Sequence, residues 1–286
     1  METTSKDKIR QFVRETYGKI ARNNEDAAER IVLSSCCGET EALIKNNEIK
    51  SAECCSSETN YTPEDLSIIM GYSKSDIENA PDGANLGLGC GNPVALASLK
   101  PGETVVDLGS GGGFDSFLAA RQVGDTGHVI GVDMTPDMIS KARKNAEKAA
   151  FTNVEFRLGE IEHLPIADNS ADLILSNCVI NLSPDKMSVY KDAFRVLKPG
   201  GRLSISDIVT KATLPNDIKE SLSLVSACVG GAATIQETET MLKQVGFQNI
   251  QIKPKEQSRK MIDEWVLGSN AGDFVVSAYI EAVKPE

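Results

Sequence analysis

The sequence predicts an α/β fold built around a doubly wound, mainly parallel sheet. The first observation is a regular alternation of strand-like and helix-like segments from residue 102 onward, which is typical of βαβ units. The second is the glycine-rich turn VVDLGSGGGFDS, placed between the first of these strands and the next helix. Glycines at such a turn let the backbone bend tightly and approach a ligand closely.

The alternating segments follow one another in a consistent order. The predicted strands are ETVVDLG, HVIGVDM, VEFRLGE, ADLILSN and GGRLSISDIV. The predicted helices between them are GGFDSFLAARQVG, TPDMISKARKNAEKA and SPDKMSVYKDAFRVLK. After about residue 211 the alternation loosens, and two helical segments precede the strand-like segments NIQIKPK and FVVSAYIEAVKP.

The N-terminal part has a different character. Apolar residues with helical spacing, Ile9, Val13, Tyr17 and Ile20, predict a helix within residues 5–32. The polar stretch that follows, SSCCGETEALIKNNEIKSAECCSSETN, indicates a mobile loop with two pairs of adjacent cysteines. The segment YTPEDLSIIMGY begins with a threonine cap and a proline, which predicts a short helix.

We divide the chain into three regions on these patterns. Residues 1–75 contain the N-terminal helix and the cysteine-bearing loop, and residues 76–210 contain the ligand-binding sheet. Residues 211–286 form a smaller α+β substrate region. The length of 286 residues is sufficient for one large domain with such appendages.

Composition excludes several classes of partner. The net charge of −11 argues against nucleic acid, which requires a basic surface, and gives no reason to expect binding to anionic membranes. No apolar run reaches the roughly 18 residues of a membrane-spanning helix. The N-terminus, METTSKDKIRQF, is charged and has no apolar signal region, so we expect a cytoplasmic protein.

The cysteine content indicates metal binding or catalysis rather than a fold stabilised by disulfides. The chain has seven cysteines, an odd number, and in a reducing compartment we expect no disulfide framework. Grouped thiols in that setting more often bind metals or act in catalysis. Only two histidines, His128 and His163, are present, which is a poor supply for acid–base catalysis. The cysteines are Cys36, Cys37, Cys54, Cys55, Cys90, Cys178 and Cys228.

The glycine-rich turn favours one kind of cofactor. It lacks the third-glycine spacing of the G-x-G-x-x-G dinucleotide motif, and an acidic residue precedes it on the strand. The form DLGSGGG resembles motif I of class I methyltransferases, which bind S-adenosylmethionine; a dinucleotide enzyme is the alternative. The residues concerned are Asp107, Gly109, Gly111, Gly113, Phe114 and Asp115.

Further cofactor contacts are expected from the ends of the other strands. Asp133 ends the second strand about 20 residues past the glycines, where an acid suits the two ribose hydroxyls. In this fold the turn after the third strand covers the adenine. The complete set of additional cofactor-binding candidates is Asp133, Met134, Glu160, Ile161, Glu162 and Asn177.

Three cysteines are placed where a substrate would lie. Cys178 follows the fourth strand, and the carboxyl ends of parallel strands face the ligand crevice. Cys90 lies just ahead of the sheet region and Cys228 just beyond it, each beside small residues. Soft thiolates select soft ions, and three convergent sulfurs suit trivalent arsenic. The lone pair that remains on the arsenic can attack a sulfonium methyl group. The arsenic atom carries no proton, so no catalytic base is needed.

The chain resembles the microbial arsenite S-adenosylmethionine methyltransferases. The matching segments are SSCCG, ANLGLGCGNP, VVDLGSGGGFD, GVDMTPDMISKAR, SNCVINLSPDK, RVLKPGG, SISDI, CVGGA and SAYIEAVKP. The resemblance implies a class I methyltransferase, Rossmann-like sheet that methylates trivalent arsenic in arsenic detoxification. It also implies a thiol reductant, glutathione or thioredoxin, as partner.

The same resemblance implies a division of labour among the thiols. Arsenic is bound mainly through Cys178 and Cys228 together with a partner thiol, for which Cys90 is a candidate. One thiol of the Cys36/Cys37 pair acts in the later steps, and the sequence leaves open which one. The pair Cys54 and Cys55 is additional to the family pattern.

Two other functions remain as alternatives. A small-molecule C- or O-methyltransferase of the quinone-biosynthesis type would fit RVLKPGG and the glycine turn equally well, but it gives no reason for three placed thiols. A non-catalytic protein that binds soft metals would explain the thiols, but not the glycine turn or Asp133.

Overall fold

The computed structural model describes residues 2–23, 61–212, 214, 219, 221–258, 262 and 274–286. The helices in this part of the chain are α1 (Glu2–Asn23), α2 (Pro63–Met70), α3 (Lys74–Asn79), α4 (Pro93–Leu96), α5 (Phe114–Val123), α6 (Pro136–Lys148), α7 (Lys186–Val196), α8 (Leu222–Ser226) and α9 (Ile235–Val245). The strands are β1 (Thr104–Leu108), β2 (His128–Asp133), β3 (Val154–Leu158), β4 (Ala171–Asn177), β5 (Leu197–Thr210), β6 (Ala233–Thr234), β7 (Gln248–Pro254) and β8 (Val275–Val283).

These strands form one sheet with the order β3-β2-β1-β4-β5-β8-β7, and β6 pairs with β5. The strands from β3 to β5 are parallel to one another, whereas β8 is antiparallel to both β5 and β7. The chain order reverses between β1 and β4, which places a ligand crevice at their carboxyl ends. This topology confirms the predicted doubly wound α/β fold.

The central strands are buried on both faces because helices cover both sides of the sheet. Val106 and Ile174 belong to the core on one face, while Val105, Leu173 and Leu175 belong to the core on the other. A parallel sheet covered in this way produces continuous apolar strands instead of an alternating pattern.

The N-terminal helix predicted within residues 5–32 begins at Glu2 and is described to Asn23. It packs against α6, α8 and the 3₁₀ turn Ile180–Leu182, so it lies across the carboxyl-end edge of the sheet. The short helix α2 starts as predicted, with Thr62 and Asp65 forming a reciprocal cap and Pro63 in the first turn.

Strands from both sides of residue 210 share the same sheet, and the division at residues 75 and 210 stays a prediction. The predicted polar loop, with Cys36, Cys37, Cys54 and Cys55, lies outside the described residues. Within the described ranges, no helix combines the length and the apolar character that crossing a membrane requires.

Candidate functional site

The glycine-rich turn joins β1 to α5, and two of its positions require glycine. Gly109 and Gly113 have φ angles of 67° and 96°, a region that favours glycine. A Cβ atom at Gly109 would overlap Val179, and a Cβ atom at Gly113 would lie 2.6 Å from Phe117 Cε2. No larger residue fits at these two positions without a shift of its neighbours.

Asp133 lies beside this turn at the end of β2. Its carboxylate accepts hydrogen bonds from the backbone N–H of Thr135 at 2.8 Å and of Gly111 at 3.0 Å. Burial raises the pKa of Asp133, and these N–H groups, Thr135 first, act in the opposite direction. The nearby Ser110 hydroxyl is buried and has no hydrogen-bond partner among the described residues. A buried carboxylate acceptor and a buried hydroxyl with no partner among the described residues fit a polar cofactor such as S-adenosylmethionine.

Asp107 and Asp115 take different roles at the start of α5. Asp107 accepts a 2.6 Å hydrogen bond from the Ser116 hydroxyl and thereby ties α5 to β1. Asp115 accepts hydrogen bonds from the Tyr72 hydroxyl at 2.6 Å and from Asn177 Nδ2 at 3.0 Å. Burial raises the pKa of Asp115 to about 6, and the bonds from Tyr72 and Asn177 oppose that shift.

Tyr72 belongs to this network, although the sequence analysis did not select it. Its ring centroid lies 4.9 Å from that of Phe114, and its hydroxyl also accepts a hydrogen bond from Asn177 Nδ2 at 2.9 Å. The segment before α3 carries no local signal for such a role, because the partner of Tyr72 is 43 residues away in the sequence.

The turn after β3 is engaged by α1. The Glu162 carboxylate is buried, accepts a 2.7 Å hydrogen bond from the Ser183 hydroxyl and pairs with Arg10 at 3.1 Å. Glu160 pairs with Arg10 at 3.4 Å and with Arg14 at 3.5 Å. Both carboxylates, expected at the adenine, therefore contact other groups of the protein.

Ile161 and Met134, the other two cofactor candidates in the turns after β2 and β3, pack in apolar clusters. Ile161 is buried in the main core, and Met134 packs against the cluster that contains the cysteines of the site.

Cys90 and Cys178 are joined by a disulfide, with their Cα atoms 5.9 Å apart. The sequence predicted no disulfide framework, and this single bond is an addition to that prediction, since Cys228 is free and the other four cysteines lie outside the described residues. A neighbouring contact joins the same two segments: the backbone N–H of Cys90 donates a 3.1 Å hydrogen bond to Oδ1 of Asn177, the residue before Cys178. This contact brings together two thiols that are 88 residues apart in the sequence.

Cys228 completes the group of thiols. Its Sγ donates a hydrogen bond to the carbonyl oxygen of Cys178 at 2.8 Å. Cys178 and Cys228 have φ angles of 56° and 62°, and a non-glycine residue held there costs on the order of 1–3 kcal/mol. Burial and the Asp207 carboxylate raise the pKa of Cys228, while Lys186 and a hydrogen bond with Tyr17 oppose that shift.

Asp207, which the sequence analysis also did not select, fixes the segment after Cys178. It accepts hydrogen bonds from the backbone N–H of Ile180 at 3.0 Å and from Asn181 Nδ2 at 2.8 Å. A carboxylate oxygen of Asp207 and the sulfur atoms of Cys90 and Cys178 all lie within 4.8 Å of one another. Burial raises the pKa of Asp207 to about 6. The one available signal was an acidic residue inside the otherwise uncharged strand segment SISDI.

Neither histidine contacts Cys90, Cys178 or Cys228, the cysteines that the structure describes. His128 Nε2 lies 3.2 Å from Glu155 Oε1 at the start of β2, the end of the strand away from the crevice. His163 is exposed and forms part of a surface turn. The described part of the site thus contains thiols and carboxylates without a histidine.

Comparison with known proteins gives consistent results. A family model described as "Methyltransferase domain" matches residues 99–246. The chain is 47% identical over 279 residues to the arsenite methyltransferase of Halobacterium salinarum, with 98% of this chain and 67% of that protein covered. It is 38% identical over 213 residues to the arsenite methyltransferase of Aquipseudomonas alcaligenes, with 72% of this chain and 58% of that protein covered.

A solved structure gives the same relation. The crystal structure of an arsenic (III) S-adenosylmethionine methyltransferase from Chlamydomonas reinhardtii aligns with a TM-score of 0.57 and 30% identity. The alignment covers 77% of this chain and 73% of that one. The chain spans 67% and 58% of the length of the two curated relatives named above.

Proposed function

The chain belongs to the arsenite methyltransferase family of S-adenosylmethionine-dependent enzymes, and on that premise we propose that it methylates trivalent arsenic held by its cysteine thiols. The observation that carries the proposal is the meeting of Cys90, Cys178 and Cys228 at the carboxyl end of β4. Val179, which follows Cys178, packs directly on Gly109 of the cofactor turn. The group that accepts the methyl and the group that donates it would therefore meet there. Methylation of arsenite in this way would serve arsenic detoxification.

Arsenic capture needs no separate base. When a thiol replaces a hydroxide on arsenous acid, an As–S bond forms, an As–O bond breaks, and the thiol proton leaves with the hydroxide as water. The raised pKa of Cys228 keeps this thiol protonated near neutral pH, so the residue brings the proton that the leaving hydroxide requires. Cys178 supplies the adjacent sulfur once its disulfide is reduced.

The residues around the glycine turn would hold the cofactor in a defined orientation. S-adenosylmethionine supplies an electrophilic methyl group on a sulfonium centre. Asp133 would accept hydrogen bonds from the ribose hydroxyls. Gly111, whose Cβ position has only Met138 Sδ nearby at 4.0 Å, would leave room for the methionine part. Asp115, oriented by Tyr72 and Asn177, would offer its carboxylate to the ammonium group of the cofactor.

Methyl transfer is then mainly a matter of position. A thiolate-bound arsenic carries a lone pair and no proton, so the protein has no proton to remove at the nucleophilic atom. Holding two reactants in the correct orientation can lower the activation free energy by about 7–11 kcal/mol. Cys178 and Cys228 both have a left-handed backbone. Such strain persists only where the surrounding structure holds the residue in place, and it is common at active sites.

The disulfide supports the need for a thiol reductant. Transfer of a methyl cation uses the arsenic lone pair, so two electrons must be returned before arsenic is trivalent again. Closing the Cys90–Cys178 bond releases two electrons and two protons, which is the amount needed. Glutathione or thioredoxin would then reopen the bond. Arsenite has one more site for sulfur than a monomethylated arsenical, so Cys36 or Cys37 would supply that additional sulfur in the first methylation, whereas the resemblance implied a role in the later steps.

The test is an assay of purified protein with arsenite, glutathione and methyl-labelled S-adenosylmethionine, with arsenic speciation of the products. We expect labelled methylarsenicals from the wild-type protein and none from Cys178→Ser or Cys228→Ser. The double variant Cys54→Ser/Cys55→Ser is the matched control and should retain activity. Methylation of a phenolic or quinone-type substrate, unaffected by Cys178→Ser, would instead support the quinone-type alternative.

A further inference from the structure

The inner face of α1 forms one wall of the thiol site. Ile9, Val13 and Tyr17 recur every four residues, so they share one face of the helix. That face packs into the apolar cluster that contains the three cysteines the structure describes. The N-terminal helix therefore lies on the reacting groups and not on a remote surface of the sheet.

Tyr17 adds a directed contact to this packing. Its hydroxyl donates a 3.1 Å hydrogen bond to the carbonyl oxygen of Ser226, two residues before Cys228. Burial raises the pKa of Tyr17, and the charges of Cys228, Asp133 and Asp207 and a hydrogen bond with Cys228 act in the same direction. Tyr17 thus bonds to the segment just before Cys228 and packs in the cluster that contains the Cys228 side chain.

The turn that carries Cys228 needs an external anchor. Inside it, the N–H of Cys228 donates to Val225 O at 3.0 Å and the N–H of Gly230 donates to Leu224 O at 2.8 Å. These internal bonds keep the shape of the turn, including the left-handed backbone of Cys228. They do not determine where the turn lies relative to Cys178. Two hydrogen bonds reach outside the turn, from Cys228 Sγ to Cys178 O and from the Tyr17 hydroxyl to Ser226 O. The first is lost when the Cys228 thiol gives up its proton to bind arsenic, whereas the bond from Tyr17 remains.

We propose that Tyr17 is a positioning residue of the arsenic site, whose hydroxyl anchors the Cys228 turn to α1 and so holds the Cys228 sulfur beside Cys178. This inference rests on the arsenic-methylating function proposed above. It also implies that Cys178 and Cys228 lie side by side only when α1 is packed against the site. Polar contacts hold the helix in that position, among them Arg10 with Glu162 at 3.1 Å and Lys6 with Asp185 at 3.0 Å.

The experiment uses Tyr17→Phe, which keeps the ring in its apolar surroundings and removes only the hydroxyl. The full-length protein is first reduced with a phosphine, because a dithiol reductant would compete for arsenic. Binding of phenylarsine oxide, a trivalent arsenical that two thiols can hold, is then measured by calorimetry together with steady-state kinetics on arsenite. We expect the arsenical Kd and the KM for arsenite to rise about three- to tenfold, the effect of one neutral hydrogen bond.

The same variant should change kcat by less than about twofold and leave the affinity for S-adenosylmethionine unaltered, since the hydroxyl has no role in the transfer itself. The matched control is Arg22→Gln, which removes the ion pair with Asp137 in the last turn of α1 and leaves Tyr17 in place. It should bind phenylarsine oxide as the wild type does. Circular dichroism and thermal melting check that both variants are folded.

The outcomes separate the two proposals. A wild-type protein that neither binds phenylarsine oxide nor methylates arsenite would overturn the proposed function itself. An active wild type with an unchanged Tyr17→Phe variant would overturn the role of Tyr17 alone. An equal rise in KM for Arg22→Gln would also overturn it, because the effect would then come from loosening α1 and not from the hydroxyl.

Discussion

Replacement of Gly231 by alanine tests whether the packing of two loops sets the relation between Cys178 and Cys228. Gly231 follows Cys228 by three residues and lies against the backbone of Asn181, which follows Cys178 by three residues. A Cβ atom at Gly231 would overlap the carbonyl oxygen of Asn181 and would lie 3.1 Å from its carbonyl carbon. Both atoms are inside the normal contact distance of about 3.5–4.0 Å, so one loop must move by on the order of 1 Å.

The loop around Asn181 cannot yield easily. Its backbone N–H and side-chain amide both donate to the buried Asp207 carboxylate, at 3.3 Å and 2.8 Å. Overpacking at such a site typically costs about 1–3 kcal/mol of stability. A misplacement of about 1 Å in a reacting geometry reduces rates by about 100-fold. We therefore expect Gly231→Ala to lose about 100-fold in kcat/KM for arsenite and to keep its affinity for S-adenosylmethionine.

The assay is initial-rate arsenite methylation, with urea denaturation for stability and calorimetry for the cofactor. Gly102→Ala is the control: its φ of 86° makes alanine unfavourable, but the nearest atom to its Cβ, Thr126 Oγ1, is 3.6 Å away. This variant should lose about 1–2 kcal/mol of stability and retain its activity. If Gly231→Ala keeps activity within threefold of Gly102→Ala, the contact between the two loops does not set the geometry of the thiols.

Three further predictions concern the cofactor and the N-terminal thiols. Asp133→Ala should weaken S-adenosylmethionine binding by about 1–3 kcal/mol, the cost of leaving polar groups unpaired; unchanged affinity in calorimetry would remove Asp133 from the site. Because burial raises the pKa of Asp115 to about 6, its carboxylate is charged above that pH and becomes neutral below it. Affinity for the cationic cofactor should therefore fall as the pH is lowered from 8 to 5, whereas Asp115→Asn should show a flat profile; parallel profiles for the two proteins would contradict this role. The double variant Cys36→Ser/Cys37→Ser should still methylate a monomethylated trivalent arsenical, which has one site fewer for sulfur, and should lose methylation of arsenite. Equal loss on both substrates in the speciation assay would show that the division of labour is wrong.

The candidate site was only partly predictable from local patterns. The positions of Asp133 and Cys178 follow from their place at the end of a strand, because parallel strands present their carboxyl ends to one crevice. Glu160 and Glu162 were selected on the same reasoning. Their engagement by Arg10 was not foreseeable, because it depends on the path of a helix about 150 residues earlier in the chain.

The sequence by itself determined the order of strands and helices, the glycine turn and the family, because these depend on the spacing of apolar residues and on short motifs. Only the tertiary structure decided which side chains meet. The bond between Cys90 and Cys178 joins residues 88 positions apart, and Tyr17 contacts Ser226 across 209 positions. Such contacts depend on how the sheet twists, how the helices pack on it and which loop reaches which neighbour. These long-range contacts arise from the packing of the whole core, and no local pattern of residues encodes them.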